Sequence, residues 1–229
     1  MKTLKSALIA GLALAFSLSA RAEISAQAWL ESYYLNPQPA ELGRAVQRLS
    51  HDGYFDQSGH VAISIGFLAT VFAQNPQRVD GWLMEFNGLP LKHQKIIASA
   101  LWQAGQPLGA EMLKNLGEFA ANRDAVLRLA NTPPVAIDDT PVLSTSSMNL
   151  HWGAFLATGD QRHILAVLDA IGTNRPGLDT AARVALAQEA AEHPRVMEIC
   201  RAQLDRQPRD VQQILRAAVN EASAAHPRT

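Results

Sequence analysis

The chain repeats one device along its length: a proline is followed by apolar or small residues at offsets +3, +6, +7 and +10. The offsets hold after Pro39, Pro76 and Pro208, hold in part after Pro194, and are looser after Pro107. Proline lacks only an N–H that the first helical turn leaves unpaired, and residues at these offsets lie on one face of a helix. The pattern therefore predicts amphipathic helices that each begin near a proline.

Most proline-opened helices follow another apolar-periodic segment, such as "AWLESYYL", "GFLATVFA" or "KIIASALWQAG", across a short link. Short links place the two helices side by side and antiparallel. The sequence thus predicts an all-α protein of antiparallel helical hairpins, packed either as a degenerate α-solenoid or as an irregular bundle. Asn75 is expected to cap the helix after Pro76. Only "HVAISIGF" has a spacing that would also suit a short strand.

The first 22 residues have the pattern of a secretory signal peptide. Lys2 and Lys5 precede an apolar run from residue 7 to residue 18, and a small-residue triplet, residues 20–22, follows it. The run is shorter than the roughly 20 apolar residues that span a membrane. We expect cleavage after Ala22 and a soluble periplasmic or secreted mature chain, 23–229, without a transmembrane segment.

Charge and cysteine content exclude some classes of partner and some means of stabilising the fold. Removing residues 1–22 takes away three basic residues and no acidic one, which leaves 17 Lys and Arg against 21 Asp and Glu. This balance, without basic runs, argues against nucleic acid or an anionic membrane as the main partner. Cys200 is the only cysteine, so the chain has no internal disulfide and no lipid-anchored cysteine at the cleavage point. Its position on an apolar helical face predicts a buried thiol.

One segment interrupts the helical pattern. Residues 131–148, "NTPPVAIDDTPVLSTSSM", contain three prolines and a Ser/Thr cluster, so no helix can run through the segment undisturbed. A loop of this length is either functional or a linker. We therefore divide a single helical domain, 23–229, into an N-terminal lobe, 23–130, and a C-terminal lobe, 149–229.

The sequence predicts no metal site and no cofactor. It lacks H-E-x-x-H, a P-loop and G-x-G-x-x-G, which are the common zinc and nucleotide motifs. The densest group of potential metal ligands is His51, Asp52, Asp56 and His60. Their spacing matches no known ligand pattern, and Gly53 among them favours a helix end followed by a solvated turn.

Candidate catalytic residues are equally sparse. The chain has no G-x-S-x-G motif, and the nearest string, "AISIG" around Ser64, has alanine in place of the first glycine. Asp138 and Asp139 form the one conspicuous carboxylate pair, and His151 could serve as an acid or base beside them. Adjacent carboxylates tend to point apart, and a histidine near a helix start is more often a structural residue.

Aromatic residues supply the candidate partner surface. The four tryptophans fall in helical segments, where packing between hairpins is the expected role. Trp29, Tyr33 and Tyr34 lie near the mature N-terminus, and we consider them the residues that could contact a partner if they are partly exposed.

The phrases "LHWGAFLATGD", "FLATVFAQNPQRVDGWL" and "SALWQAG" resemble an uncharacterised family of exported bacterial all-helical proteins with degenerate tetratricopeptide-like hairpins. The resemblance covers most of the mature chain. It implies the fold and the compartment, and it implies no activity.

The sequence favours a non-enzymatic module of the cell envelope that binds or scaffolds another protein or a peptide, because stacked hairpins offer a concave surface. This function predicts an extended groove with exposed aromatic residues. One alternative is a hydrolase of an envelope polymer, which requires His151 and an aspartate of the pair to meet in a cleft. Another is a carrier with an apolar cavity for a small ligand.

Overall fold

A computed structural model describes residues 24–117, 123–173, 175 and 177–225. The predicted signal peptide, residues 1–22, lies outside them. Twelve α-helices and five 3-10 turns form the regular structure of the described residues, which include no β-strand. The all-α prediction is therefore confirmed, and "HVAISIGF" is helical. The helices are α1 Ala26–Ser32, α2 Leu42–His51, α3 Ser58–Gln74, α4 Val79–Phe86, α5 Leu91–Gln103, α6 Pro107–Gly117, α7 Arg123–Ala130, α8 Thr145–Thr158, α9 Gln161–Ala170, α10 Leu178–Glu192, α11 Pro194–Gln203 and α12 Arg209–Ala225.

The prolines begin helices as the sequence pattern predicts. Pro107 and Pro194 are the first residues of α6 and α11, and α12 begins one residue after Pro208. Pro39 and Pro76 each open a 3-10 turn that continues directly into α2 or α4. The fixed φ of proline suits both kinds of helical turn.

Asn75 has a different role from the one predicted. Its side chain makes no capping hydrogen bond to the helix that follows. Instead, its Nδ2 donates to the Val71 carbonyl at 2.9 Å, in the last turn of α3. The last carbonyls of a helix have no partner within the helix, so this amide completes the end of α3 rather than the start of α4.

The most extensive helix–helix contact joins α3 and α8. Glycines at the crossing allow the two backbones to touch: a Cβ on Gly66 would lie 2.1 Å from the Leu150 carbonyl oxygen, and a Cβ on Gly153 would lie 2.0 Å from that of Ile63. In a regular solenoid each repeat contacts only its neighbours in sequence. The contact between α3 and α8 passes over four intervening helices, so the hairpins merge into an irregular bundle.

One continuous hydrophobic cluster extends from α1 to α12 and draws on both sides of the 131–148 segment. Ile137, Val142 and Met148 of this segment are buried in it. The segment also contains a 3-10 turn, Ile137–Asp139, and the start of α8 at Thr145. Ser144 and Ser147 cap α8 reciprocally, which is why this helix begins four residues before the predicted lobe boundary. The segment is therefore a packed part of the fold.

No helix in the described ranges has the length and apolar character needed to cross a membrane.

Candidate functional site: a polar cavity beside a buried histidine pair

A polar cavity of about 580 Å³ lies where three parts of the fold meet. Thr70 and Gln74 of α3 form one side, and residues 158–163, at the turn from α8 to α9, form another. Asp138 of the connecting segment and Arg195 of α11 complete the lining. The cavity thus lies at the junction between the N-terminal helices, the 131–148 segment and the C-terminal helices.

The turn from α8 to α9 follows directly from its sequence. Gly159 has a φ of +67°, and its N–H donates to the Phe155 carbonyl, which ends α8. Asp160 then caps α9 by accepting a hydrogen bond from the Arg162 N–H at 3.0 Å. The Gly-Asp pair after "LHWGAFLAT" therefore ends one helix and caps the next, and it brings the first residues of α9 to the cavity.

Arg162 is held between two carboxylates. Its guanidinium lies 2.7 Å from Asp160 Oδ2 and also pairs with Asp138 across the cavity rim. Burial alone would raise the pKa of Asp160, but the backbone and side-chain hydrogen bonds from Arg162 and the charge of Arg162 lower it below the usual range. Arg195 contacts Glu198 at 3.2 Å and keeps about half of its side chain exposed. The cavity therefore presents fixed charges of both signs.

Two buried histidines form the wall behind these charges. His151 Nε2 lies 2.7 Å from the Thr140 carbonyl oxygen, and His151 Nδ1 lies 3.3 Å from His163 Nδ1. A carbonyl only accepts, so His151 Nε2 carries a hydrogen and donates it. In a neutral His151, Nδ1 is then the acceptor, and His163 Nδ1–H donates to it. The pair ties α8 and α9 to the connecting segment.

His163 remains without a positive charge at neutral pH. Burial lowers its pKa to about 4, although the nearby Asp138 carboxylate acts in the opposite direction. With Nδ1–H donated to His151, Nε2 of the neutral ring has only a lone pair. This nitrogen lies 3.7 Å from Asp138 Oδ1, beyond hydrogen-bond range, as expected for two acceptors that face each other. A hydrogen-bond donor on a ligand would satisfy both.

The proposed meeting of His151 with an aspartate does not occur directly. Both ring nitrogens of His151 are occupied by Thr140 and His163, and His163 stands between His151 and Asp138. Asp139 lines a neighbouring cavity of about 320 Å³, which Asp138 also lines. A signal for His163 is present in the sequence, although motif searching overlooks it: a hairpin turn at Gly159 brings the residues before and after it together.

The four potential metal ligands do not converge. His51 and Asp52 form an exposed pair with each other, at 3.1 Å. Asp56 instead binds Lys92 and His93, and His60 stacks on Tyr54 at a centroid distance of 4.1 Å. No cluster of three or more metal-ligating side chains occurs in the part of the chain that the structure describes.

The proposed aromatic patch is mostly internal. Tyr33 is 2% exposed and packs edge-on against Phe67 at 5.1 Å. Trp29 contacts the same phenylalanine, and Tyr34 contacts Phe155 of α8, so both are half-buried. Within the described ranges, every tryptophan, tyrosine and phenylalanine side chain is buried or half-buried. These three residues pack α1 and the following turn onto α3 and α8.

Comparison with known proteins found no matching family model, no matching curated protein and no matching solved structure.

Proposed function

We propose that the protein is an exported binding module of the cell envelope, periplasmic or secreted, and that it binds a short peptide in the polar cavity between α3, the turn from α8 to α9, and α11. Export is inferred from the pattern of residues 1–22 alone. The peptide site is inferred from the chemistry of the cavity, and one observation carries it: fixed hydrogen-bond acceptors and guanidinium donors line the same space.

The acceptors and donors suit the two ends of a peptide. His163 Nε2 and Asp138 Oδ1 face each other at 3.7 Å as two acceptors, and a ligand amide or ammonium would donate to them. Arg195 pairs with Glu198 through Nη1, and its half-exposed guanidinium has further N–H groups for a ligand carboxylate. A volume of about 580 Å³ lies within the range of small-ligand sites, roughly 300–1,000 Å³. A short zwitterionic peptide would therefore satisfy both sets of groups.

The other functions have weaker support. A scaffold with an aromatic groove needs exposed aromatic side chains, and those described are buried or half-buried. A carrier of an apolar ligand needs a larger cavity than the two apolar ones near α5 and α6, each close to 200 Å³. A hydrolase centred on His151 needs a free ring nitrogen, and both are engaged.

Titration of the mature chain with tripeptides, followed by amide NMR shifts, tests this proposal. We expect shifts at residues 158–163 and 195, and weaker binding of the same peptides after N-acetylation or C-amidation. Arg195→Ala should lower the affinity about tenfold or more, since a charged hydrogen bond contributes roughly 1.5–3 kcal/mol. Arg44→Ala, which removes an exposed arginine of similar pairing, is the control. Equal affinity for free and blocked peptides would contradict the proposal.

A further inference from the structure

Ser50, His93 and Asp56 form a connected series of hydrogen bonds outside the polar cavity. Ser50 Oγ lies 2.7 Å from His93 Nδ1, and His93 Nε2 lies 2.8 Å from Asp56 Oδ1. The three residues come from separate parts of the chain: the last turn of α2, the 3-10 turn Tyr54–Asp56, and the first turn of α5. Sequence motifs do not indicate this grouping, because 43 residues separate Ser50 from His93.

The direction of each hydrogen bond follows from the carboxylate. Hydrogen bonds from Lys92 and His93 lower the pKa of Asp56, so this side chain is ionised at neutral pH and only accepts. His93 Nε2 must then donate to it. In a neutral ring this leaves Nδ1 as a lone-pair acceptor, and the Ser50 hydroxyl donates its hydrogen to that nitrogen. The serine oxygen therefore faces a base that can remove its proton.

The base and the nucleophile differ in how far they are exposed to solvent. The His93 ring is 2% exposed and contacts Phe55 edge-on at a centroid distance of 5.4 Å, which holds its orientation. Ser50 is only partly buried, at the surface end of α2 beside the exposed His51 and Asp52. A fixed imidazole that is hydrogen-bonded to the hydroxyl of a partly exposed serine is an arrangement that nucleophilic catalysis uses.

We propose that Ser50 is an activated nucleophile toward small carboxylic esters, with His93 as the general base and Asp56 as the residue that positions the imidazole. The nitrogens have the opposite assignment from the common serine hydrolases, since Nδ1 rather than Nε2 faces the serine. This inference concerns a different site from the peptide cavity, and either proposal can fail without the other.

The reaction would proceed in two balanced steps. Ser50 Oγ attacks the ester carbonyl carbon while its proton passes to His93 Nδ1, and the C–O bond to the leaving group then breaks as the alcohol takes that proton. The product is an ester of Ser50. Water, deprotonated by His93, attacks this ester, and the carboxylic acid leaves as the Ser50 hydroxyl regains its hydrogen.

Labelling with a fluorophosphonate probe, followed by peptide mass spectrometry, tests the proposal on the mature wild-type chain. We expect one labelled serine, Ser50, and loss of labelling in Ser50→Ala. Ser32→Ala is the matched control, because Ser32 also ends a helix but donates its hydroxyl hydrogen to the Ala28 carbonyl, at 2.6 Å. Labelling of several serines alike, or no labelling of Ser50 in the folded wild type, would overturn the proposal.

Hydrolysis of p-nitrophenyl acetate separates a catalytic role from a structural one. His93→Gln should lower the Ser50-dependent rate about 100-fold or more, the usual contribution of a general base. Asp56→Asn should lower the rate and change its pH profile, since the residue acts through the imidazole. Thermal unfolding shows whether each variant is folded. If His93→Gln is unfolded, the wild-type labelling and the rate of Ser50→Ala still decide the question, and a rate that Ser50→Ala leaves unchanged would contradict the proposal.

Discussion

His163 links the charge of the cavity to the stability of the fold. Its pKa of about 4 lies below the value of about 6.5 for an unfolded histidine, so the unfolded chain takes up a proton first as the pH falls. The stability that depends on a neutral His163 is complete above pH 6.5 and is lost between pH 6.5 and pH 4. From the two pKa values we expect a loss of about 2 kcal/mol between pH 7 and pH 5.

Urea unfolding of His163→Gln at pH 7 and pH 5 measures this contribution. The variant should lose about 2 kcal/mol less stability than the wild type over that interval, because glutamine does not titrate. His51→Gln is the control, since its side chain is 89% exposed, and its pH dependence should match the wild type. An unchanged pH dependence in His163→Gln would contradict the assignment.

Cys200 is a buried thiol, as the apolar face of its helix predicts. Burial raises its pKa to about 12, so almost no reactive thiolate exists at neutral pH. We expect a thiol reagent such as DTNB to leave the native chain unmodified at pH 8 and to react fully in 6 M guanidinium. Stoichiometric reaction of the native chain within minutes would show that this helix opens readily.

The crossing of α3 and α8 depends on two glycines with no room for a side chain. A Cβ at position 66 or 153 would lie about 2 Å from a backbone carbonyl oxygen of the other helix, and a backbone cannot move aside as a flexible side chain can. We expect Gly66→Ala and Gly153→Ala each to destabilise the fold by about 3 kcal/mol, the upper end of the usual cost of overpacking.

Gly59→Ala in the same helix is the matched control. A Cβ on Gly59 would meet nothing within 4 Å, and alanine favours a helix over glycine by up to about 1 kcal/mol. Chemical unfolding should therefore show unchanged or increased stability for this variant. If Gly66→Ala were as stable as Gly59→Ala, the close approach of α3 and α8 would be wrong.

The start of α8 rests on a capping box that the sequence contains but the periodicity did not reveal. The Ser144 hydroxyl accepts the Ser147 N–H at 3.2 Å, and the Ser147 hydroxyl accepts the Ser144 N–H at 3.0 Å. We expect Ser144→Ala to lower the free energy of unfolding by about 1 kcal/mol. Ser146→Ala, inside the same turn, should have a smaller effect. Equal effects of the two changes in urea unfolding would argue against the cap.

The features that the sequence predicts correctly are local. Helix starts at proline and the buried helix face that carries Cys200 each depend on residues within one or two turns. The sites depend on residues that are distant in sequence. Asp56 and His93 lie 37 positions apart, and Gly66 of α3 contacts α8, which follows after four other helices in the sequence. Periodicity shows which helix face is buried but not which helix covers it. The sequence groups Asp56 with His51, Asp52 and His60, whereas the fold places it against Lys92 and His93.

The whole chain should unfold as one unit, because the two predicted lobes share a core. The face of α3 is covered by α8, and the largest hydrophobic cluster takes residues from both sides of the 131–148 segment. We expect circular dichroism and tryptophan fluorescence to give coincident urea transitions, since Trp82 and Trp152 are buried in different halves of the sequence.

A chain of residues 23–130 alone would leave the α8-facing surface of α3 in water, including the backbone around Gly66. It should lack a cooperative transition, whereas the full mature chain should show one. Circular dichroism of the fragment and of the mature chain, under the same conditions, measures the difference. A sharp independent transition in the fragment would mean that the N-terminal helices form a core without α8, and that the connecting segment joins two separately stable bodies.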